Sequence, residues 1–382
     1  MTPLTIGQYI KEESISQFIK SNEHYELAFY GSDVDYPFIH HDVWYHGVMN
    51  AIKFSKKLAI CYMREPAFAH DEHVEKQILL GHDLVKEGVP ANKIYYFYST
   101  DLGKETHEVI AKKHNLKPKG FNIITFPYYE VDAYKKILEE KICEHVSPFE
   151  AKRKVAVRSF LSLNGKPDKF MRLRQIVLYW QRRLMNNGLI TLTRTEEDIE
   201  KYPNLQDYYN EVKDLISKTD YDKLCKHWPH SLDEHNVKQG LYGKHFSGYP
   251  FDKKLYLDTY FSVVSETHSG AHNCNPQFFP TEKIYKAIIN CHPFITLSTQ
   301  NFLHNLKEQG YKTFDPYINE EYDKEPDAYK RMNLAIDQVE KLCKDGVPVD
   351  MFSNAVYNYA NLISRAETHI KLVEGIFNES IV

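Results

Sequence analysis

Over the first 150 residues the apolar positions follow two alternating rhythms. Short apolar or aromatic runs occupy residues 26–30, 57–63, 93–98 and 121–126, each of strand length. Between the later runs, apolar residues recur at helical spacing over residues 73–87 and 104–114. This alternation predicts a parallel, doubly wound sheet. Ligands of such sheets lie outside the C-terminal strand ends, which directs attention to residues 31–46, 64–71, 99–104 and 127–132.

The second half repeats the pattern after a charged stretch, residues 135–154, that includes Ser147-Pro148 and reads as a linker. A strand is predicted from about residue 154. Asn164-Gly165-Lys166-Pro167 then marks a turn, followed by a helix with Phe170, Leu173, Ile176, Val177 and Trp180 as apolar positions. Asn187-Gly188 is expected to close that helix. Residues 200–250 are polar and read as irregular. Phe261, Val263 and Val264 form the next strand pattern, leading into the polar loop 265–268. Pro280-Thr281-Glu282-Lys283 opens a helix with Ile284, Ala287 and Ile288 on one face, and residues 293–297 read as a further strand. Two amphipathic helices are predicted at the end, over 327–344 and 351–377. The second places Ala355, Tyr359, Leu362, Ala366, Ile370 and Val373 on one stripe. The expected domains are residues 1–150, 151–350 and a returning helix at 351–382.

The composition narrows the class. The chain has 382 residues, 42% hydrophobic and 26% charged, which fits two globular domains rather than a disordered chain. A net charge of -4 excludes a polyanion binder as a whole and leaves room for a local basic groove. Six scattered cysteines form no CxxC pair, so neither a zinc ribbon nor a disulfide framework is predicted. There is no signal-like start and no run of about 18 apolar residues to span a bilayer. The expectation is a cytoplasmic protein without a membrane partner.

The chemistry concentrates at Thr281-Glu282-Lys283, where hydroxyl, carboxylate and ammonium groups meet at a helix N-terminus. Free N–H groups and the helix dipole make such a terminus a diphosphate site, although Thr followed by Glu is also an ordinary helix start. Glu266, at the end of the preceding strand, is a candidate donor contact or a turn residue. Among the basic residues from Lys152 to Arg183, Arg172 is the candidate phosphate ligand, since it follows the Asn164 turn; most of the run reads as a solvated helix face. Asp42, within His40-His41-Asp42-Val43-Trp44, and Asp71 stand in the predicted edge loops, as does Asp101. Any of them suits a base that deprotonates an acceptor hydroxyl, or a helix cap. Asp42 and Asp71 are the preferred pair. His268, His272 and His292 form no compact metal-ligand pattern, and neither GxGxxG nor GxxxxGK[ST] is present, which argues against a dehydrogenase or kinase.

A longer pattern links these residues. Thr281-Glu282-Lys283, Pro293-Phe294, Leu303, Gly310-Tyr311-Lys312-Thr313-Phe314, Asn319-Glu320, Tyr322-Asp323 and Arg331 occur in order. The stretch resembles viral and phage glycosyltransferase-like proteins, and the tripeptide resembles the TEK motif of α1,3-fucosyltransferases. The resemblance covers about residues 154–335, with Asn164 and Arg172 at matching places and Gly165 where arginine is usual. It implies an α/β fold of two Rossmann-like domains facing across a cleft, the GT-B class. It further implies a nucleotide diphosphate sugar as donor, with Glu282 on the ribose, Lys283 and neighbouring hydroxyls on the diphosphate, and Glu320 and Asp323 holding backbone or Arg331. No cofactor or catalytic metal is required, although Asp33-Val34-Asp35 formally matches the metal-binding DxD of the GT-A class. Likeness to fucosyltransferases favours inversion. The expected acceptor is a glycan or a hydroxymethylated DNA base, and no oligomeric state is implied. A non-catalytic nucleotide or nucleic-acid binding protein of the same fold is the alternative.

Overall fold

The computed structural model describes residues 27–31, 57–62, 72–86, 88–117, 119–140, 156–164, 170–192, 205–226, 253–268 and 278–378. The chain divides into two compact units, residues 1–135 with 364–382, and residues 136–363.

The first unit contains strands β1 (Leu27–Gly31), β2 (Lys57–Tyr62), β3 (Ile94–Tyr98) and β4 (Asn122–Thr125), parallel and in the order 1-2-3-4. Helices α1 (Glu72–Lys86) and α2 (Gly103–Lys113) make the crossovers, and α3 (Tyr128–Glu140) follows β4. The core packs Ile60, Val74, Ile78, Ile94, Tyr96, Tyr98 and Ile110, as expected where strands are covered by helices. Two buried histidines lie in it. His107 accepts from or donates to the Tyr98 hydroxyl at 2.9 Å and meets Tyr96 edge to face. Burial pushes the His107 imidazole down to about 3, and His82 adds to the effect. At the end of the chain, Arg365 donates to the fully buried Glu130 at 2.7 Å, and Tyr134 donates to Glu367 at 3.0 Å.

The second unit contains β5 (Arg158–Asn164), α4 (Phe170–Gln181), β6 (Gly188–Leu192), α5 (Lys218–Cys225), α6 (Lys253–Leu257), β7 (Thr259–Ser265), α7 (Glu282–Ile289), β8 (Phe294–Leu297), α8 (Phe302–Glu308), α9 (Ala328–Asp345) and α10 (Asp350–Asn378). Its parallel sheet has the order 6-5-7-8. The chain therefore moves from β5 to one side and returns to the other, so the order reverses between β5 and β7. The β5–β7 pairing runs from Arg158–Thr259 to Leu161–Ser262, whereas β5 stays paired with β6 as far as Asn164–Leu192. All four residues of β8 are buried, the signature of a strand covered on both faces.

Two expectations fail locally. The 200–250 stretch is not uniformly irregular, since Ser217 caps α5 by accepting from Asp220 N–H and the helix buries Tyr221 and Leu224. Its apolar positions are too few to stand out against a polar background. Asn187-Gly188 does not close α4, which ends at Gln181 before Arg183 takes a φ of 59°. Gly188 instead begins β6, where an added Cβ would lie 2.5 Å from the Phe160 ring. Close strand packing, not a left-handed turn, calls for that glycine.

The buried His107 makes a pH prediction. Its folded pKa lies below the ordinary 6.5, so the unfolded chain binds the extra proton first. Stability is then full above about pH 6.5 and falls as pH drops towards 3. Thermal melts at pH 7 and 5 should show a loss of about 2 kcal/mol, reduced in His107→Asn; equal losses in both proteins would contradict it. Arg365→Ala should cost up to about 3 kcal/mol in urea unfolding, because it removes one charge partner of the buried Glu130, leaving His369 at 4.0 Å.

Candidate functional site

The reversal between β5 and β7 is where the sheet rule places a ligand, and polar side chains gather there within the second unit. Ser265, the last residue of β7, donates its hydroxyl to Gln175 Oε1 on α4 at 2.6 Å. Gln175 Nε2 donates to Ser162 Oγ on β5 at 3.0 Å and to the Tyr179 hydroxyl at 2.7 Å. Asn164, at the end of β5, donates to Ser162 Oγ at 3.1 Å, and its backbone N–H reaches the Thr191 hydroxyl at 2.8 Å. Asn164 is 1% exposed and its Oδ1 has no hydrogen-bond partner among the described residues. A buried seam of side-chain bonds thus ties β5, α4 and β7 together where the strands stop pairing.

One residue beyond β7, Glu266 is 4% exposed. Its Oε1 accepts from Thr281 N–H at 3.2 Å, and its Oε2 accepts from the Thr281 hydroxyl. Thr281 is in turn the N-cap of α7 and accepts from Lys283 N–H at 3.4 Å. The Lys283 ammonium donates to Thr267 Oγ1 at 2.9 Å, Thr281 Oγ1 at 3.1 Å and Glu282 Oε1 at 2.9 Å. Those bonds match the three protons of an ammonium.

The two carboxyl groups are shifted in opposite directions for a physical reason. Burial pushes Glu266 up from the ordinary carboxylate value, against the pull of Lys283 and the Thr281 donors. Burial also acts to raise Glu282, but Lys283 and Lys286 outweigh it and hold that carboxyl at about 2. Burial in turn lowers Lys286. Glu282 and Lys283 keep 21% and 22% of their side-chain surface exposed. The ion pair is therefore charged and reachable, while Thr281 and Glu266 lie beneath it.

Of the residues expected from the sequence, Glu266, Thr281, Glu282 and Lys283 form one hydrogen-bonded group. Asn164 belongs to the seam that ends at Ser265, next to Glu266. Arg172 is buried in the first turn of α4, three residues before Gln175. Asp42, Asp71 and the Asp33–Asp35 pair fall outside the described residues. The basic run is not simply a solvated face: Arg174 is buried, pairs with both oxygens of Asp214 at 2.8 and 2.6 Å, and stacks 4.1 Å above Tyr329. His292 is occupied structurally, with Nδ1 2.6 Å from Ser262 Oγ and Nε2 2.9 Å from the Thr259 carbonyl. Among the described residues no group of three His, Cys, Asp or Glu could hold a metal ion.

The rest of the long pattern builds architecture. Phe294 and Phe314 pack edge to face at 4.9 Å, and Gly310, with φ 82°, follows the end of α8. Glu320 accepts from Phe314 N–H at 2.6 Å and the Thr313 hydroxyl at 2.7 Å. Asp323 accepts from Leu303 and His304 N–H at 3.0 and 3.1 Å, capping α8. Arg331 donates to the Ser298, Glu325 and Pro326 carbonyls at 2.9, 2.5 and 3.2 Å. Sequence reasoning missed Gln175 and Ser162. The available signal was a polar residue at a fully buried position, Gln175 within the buried Leu173–Tyr179 stretch.

No family model matches the chain, and no curated protein sequence matches it. Solved structures do. An α,α-trehalose 6-phosphate synthase from Burkholderia multivorans is similar over 96% of this chain and 73% of its own, at TM-score 0.51 and 11% identity. The N-terminal domain of trehalose-6-phosphate phosphatase from Candida albicans has TM-score 0.48 and 10% identity over 96% and 73%. The first likeness and the two parallel sheets establish an α/β fold of two Rossmann-like units, of the GT-B class. No described helix is long and apolar enough to cross a membrane.

Removing the Lys283 ammonium should release Glu282. In Lys283→Ala the Glu282 carboxyl is expected to rise from about 2 towards its ordinary 4.5, read by NMR titration of the side-chain carboxyl carbon. A depressed folded pKa means that the pair stabilises fully above about pH 4.5 and loses that contribution as pH falls towards 2. An unchanged titration in the variant would contradict the assigned cause.

Proposed function

We propose that the chain is a glycosyltransferase that moves a sugar from a nucleotide diphosphate sugar to an acceptor hydroxyl. The observation that carries the reading is the Lys283 ammonium, held by two hydroxyls and Glu282 at the N-terminus of α7, beside the C-terminal ends of β5 and β7. An arriving diphosphate takes over the ammonium, which neutralises the negative charge that grows on the leaving group. Glu282, ionised by its lysine neighbours, accepts from the ribose hydroxyls. Asn164 and Arg172 complete the nucleotide side of the site. The GT-B fold supports this assignment, and the similar Burkholderia multivorans protein is named as a sugar-phosphate synthase.

The acceptor side is assigned to the first unit and the donor side to the second, with Asp42 or Asp71 as the base. An inverting displacement requires such a base to take the acceptor proton as the new bond forms. Neither a metal nor another cofactor is needed for this scheme, because Lys283 and the helix terminus supply the positive field. Glycans and hydroxymethylated DNA bases are the acceptor classes, and the protein acts free of the membrane, in the cytoplasm.

A thermal-shift panel of UDP, GDP, CMP, dTDP and NAD tests the reading. One nucleoside diphosphate should raise the melting point, by about 2.7 kcal/mol of stabilisation at a hundredfold excess over Kd. That shift should vanish in Glu282→Ala and Lys283→Ala. Asp42→Asn or Asp71→Asn should leave the shift intact while cutting transfer by about 10²–10⁴, and the product anomer reports inversion. A shift with no transfer would favour a non-catalytic nucleotide-binding protein; no shift, or one indifferent to both α7 variants, would remove the donor assignment.

A further inference from the structure

The buried carboxyl beneath the charge pair has hydrogen bonds that suit one protonation state. Glu266 is 4% exposed and both of its oxygens face Thr281, Oε1 accepting from the backbone N–H at 3.2 Å and Oε2 from the hydroxyl. A hydroxyl has one proton and two lone pairs. With its proton on Glu266, the Thr281 oxygen has its lone pairs filled by the Lys283 ammonium at 3.1 Å and the Lys283 N–H at 3.4 Å. A protonated Glu266 finds no acceptor on Thr281 while that ammonium stays. The hydroxyl therefore fits an ionised Glu266, held so against the upward push of burial.

The charged groups that act most strongly on Glu266 both come from α7: Lys283 favours its ionised form and Glu282 opposes it. From α4 the neutral Gln175 accepts from Ser265, one residue back, and from β8 the Leu297 carbonyl accepts the Glu266 N–H at 3.0 Å. His268, two residues on, sets its ring edge to face against Phe279 at 5.8 Å. The ionised state of Glu266 thus depends on one ammonium, whose side chain is 22% exposed.

An anion that draws the Lys283 ammonium away changes two things at once. It removes the cation that keeps Glu266 ionised and brings negative charge close, and both raise a carboxyl pKa. It also empties a lone pair on the Thr281 oxygen. The Glu266 proton fills that lone pair, while the hydroxyl proton turns into the place that the ammonium leaves.

We infer that Glu266 is a positioning residue that takes up a proton from solvent when a nucleotide diphosphate sugar draws Lys283 onto its phosphates. Glu266 does not touch the donor; it acts through the Thr281 hydroxyl. The inference rests on the sugar-transfer reading and deepens it by coupling donor binding to a proton. Because Glu266 holds its proton more tightly with donor bound, affinity is full below the free protein's pKa and weakens as pH rises through the bound one. That window lies above 4.5, since burial already raises the free carboxyl.

Isothermal titration calorimetry with UDP-glucose, GDP-mannose and dTDP-glucose tests it, between about pH 5 and 8 in paired buffers of different ionisation enthalpy. These esters lack the terminal phosphate proton that titrates at about pH 6 in a phosphate monoester and would mask the effect. The sugar nucleotide that binds should take up protons, with affinity falling by up to about tenfold per pH unit. Glu266→Gln imitates the protonated state, so it should bind without uptake and keep the wild-type low-pH affinity throughout. Should that variant not fold, NMR titration of the Glu266 carboxyl carbon in the wild-type protein reads the same coupling: its pKa should be higher with the sugar nucleotide than without. Binding without proton uptake, uptake that survives Glu266→Gln with His268 as its source, or an unshifted Glu266 titration would overturn the coupling and leave the donor site standing. No binding of any of the three, together with an empty thermal-shift panel, would remove the donor reading and this inference with it.

Discussion

A buried carboxylate must find donors, and in the second unit that requirement organises the site. Glu266 sits almost wholly out of water just beyond β7, where an unmet acceptor would cost several kcal/mol. Both of its oxygens are met by one residue, Thr281, through the backbone N–H and the hydroxyl. The helix that Thr281 caps is thereby fixed to the strand end. Lys283 then has its place, because the Thr281 hydroxyl that donates to Glu266 also accepts from the ammonium. Glu282 is ionised as a consequence. Strand end, helix terminus and charge pair are links of one chain of hydrogen bonds.

Beneath that chain lies the side-chain seam of Ser265, Gln175, Ser162, Tyr179 and Asn164. Buried polar networks specify geometry when every member is satisfied. Among the described residues this one is satisfied except at the buried Asn164 Oδ1, at the C-terminal end of β5. The first unit shows a parallel at Thr100, just after β3. Both atoms are among several unmatched buried polar atoms of the described residues, and these two fall at C-terminal strand ends, where α/β folds take their ligands.

The elements were legible because their periodicities are strong. The predicted strands at 57–63, 93–98 and 121–126 differ by a residue or two from β2, β3 and β4, and the helix opened by Thr281 begins at Glu282. The stripe from Ala355 to Val373 reads correctly as one face of α10, with Ala355, Leu362, Ala366 and Val373 buried. The site was only partly legible. Glu282 and Lys283 stood out as charges at a helix start, whereas Gln175 is marked only as a polar residue set among Leu173, Ile176, Val177 and Tyr179. The long pattern mixed two kinds of residue: those near Lys283 carry charge into reach, while Asp323 and Arg331 bond to backbone and Glu320 to the Phe314 N–H and the Thr313 hydroxyl. Sequence spacing cannot separate these, since both need the same polar residue types.

The most direct measurement of the central claim is a crystal structure with a bound nucleoside diphosphate. The account predicts phosphate oxygens at the Lys283 ammonium and the N-terminus of α7, and ribose hydroxyls on Glu282. Nucleotide seated elsewhere, with Lys283 still bonded to Thr267, Thr281 and Glu282, would contradict it.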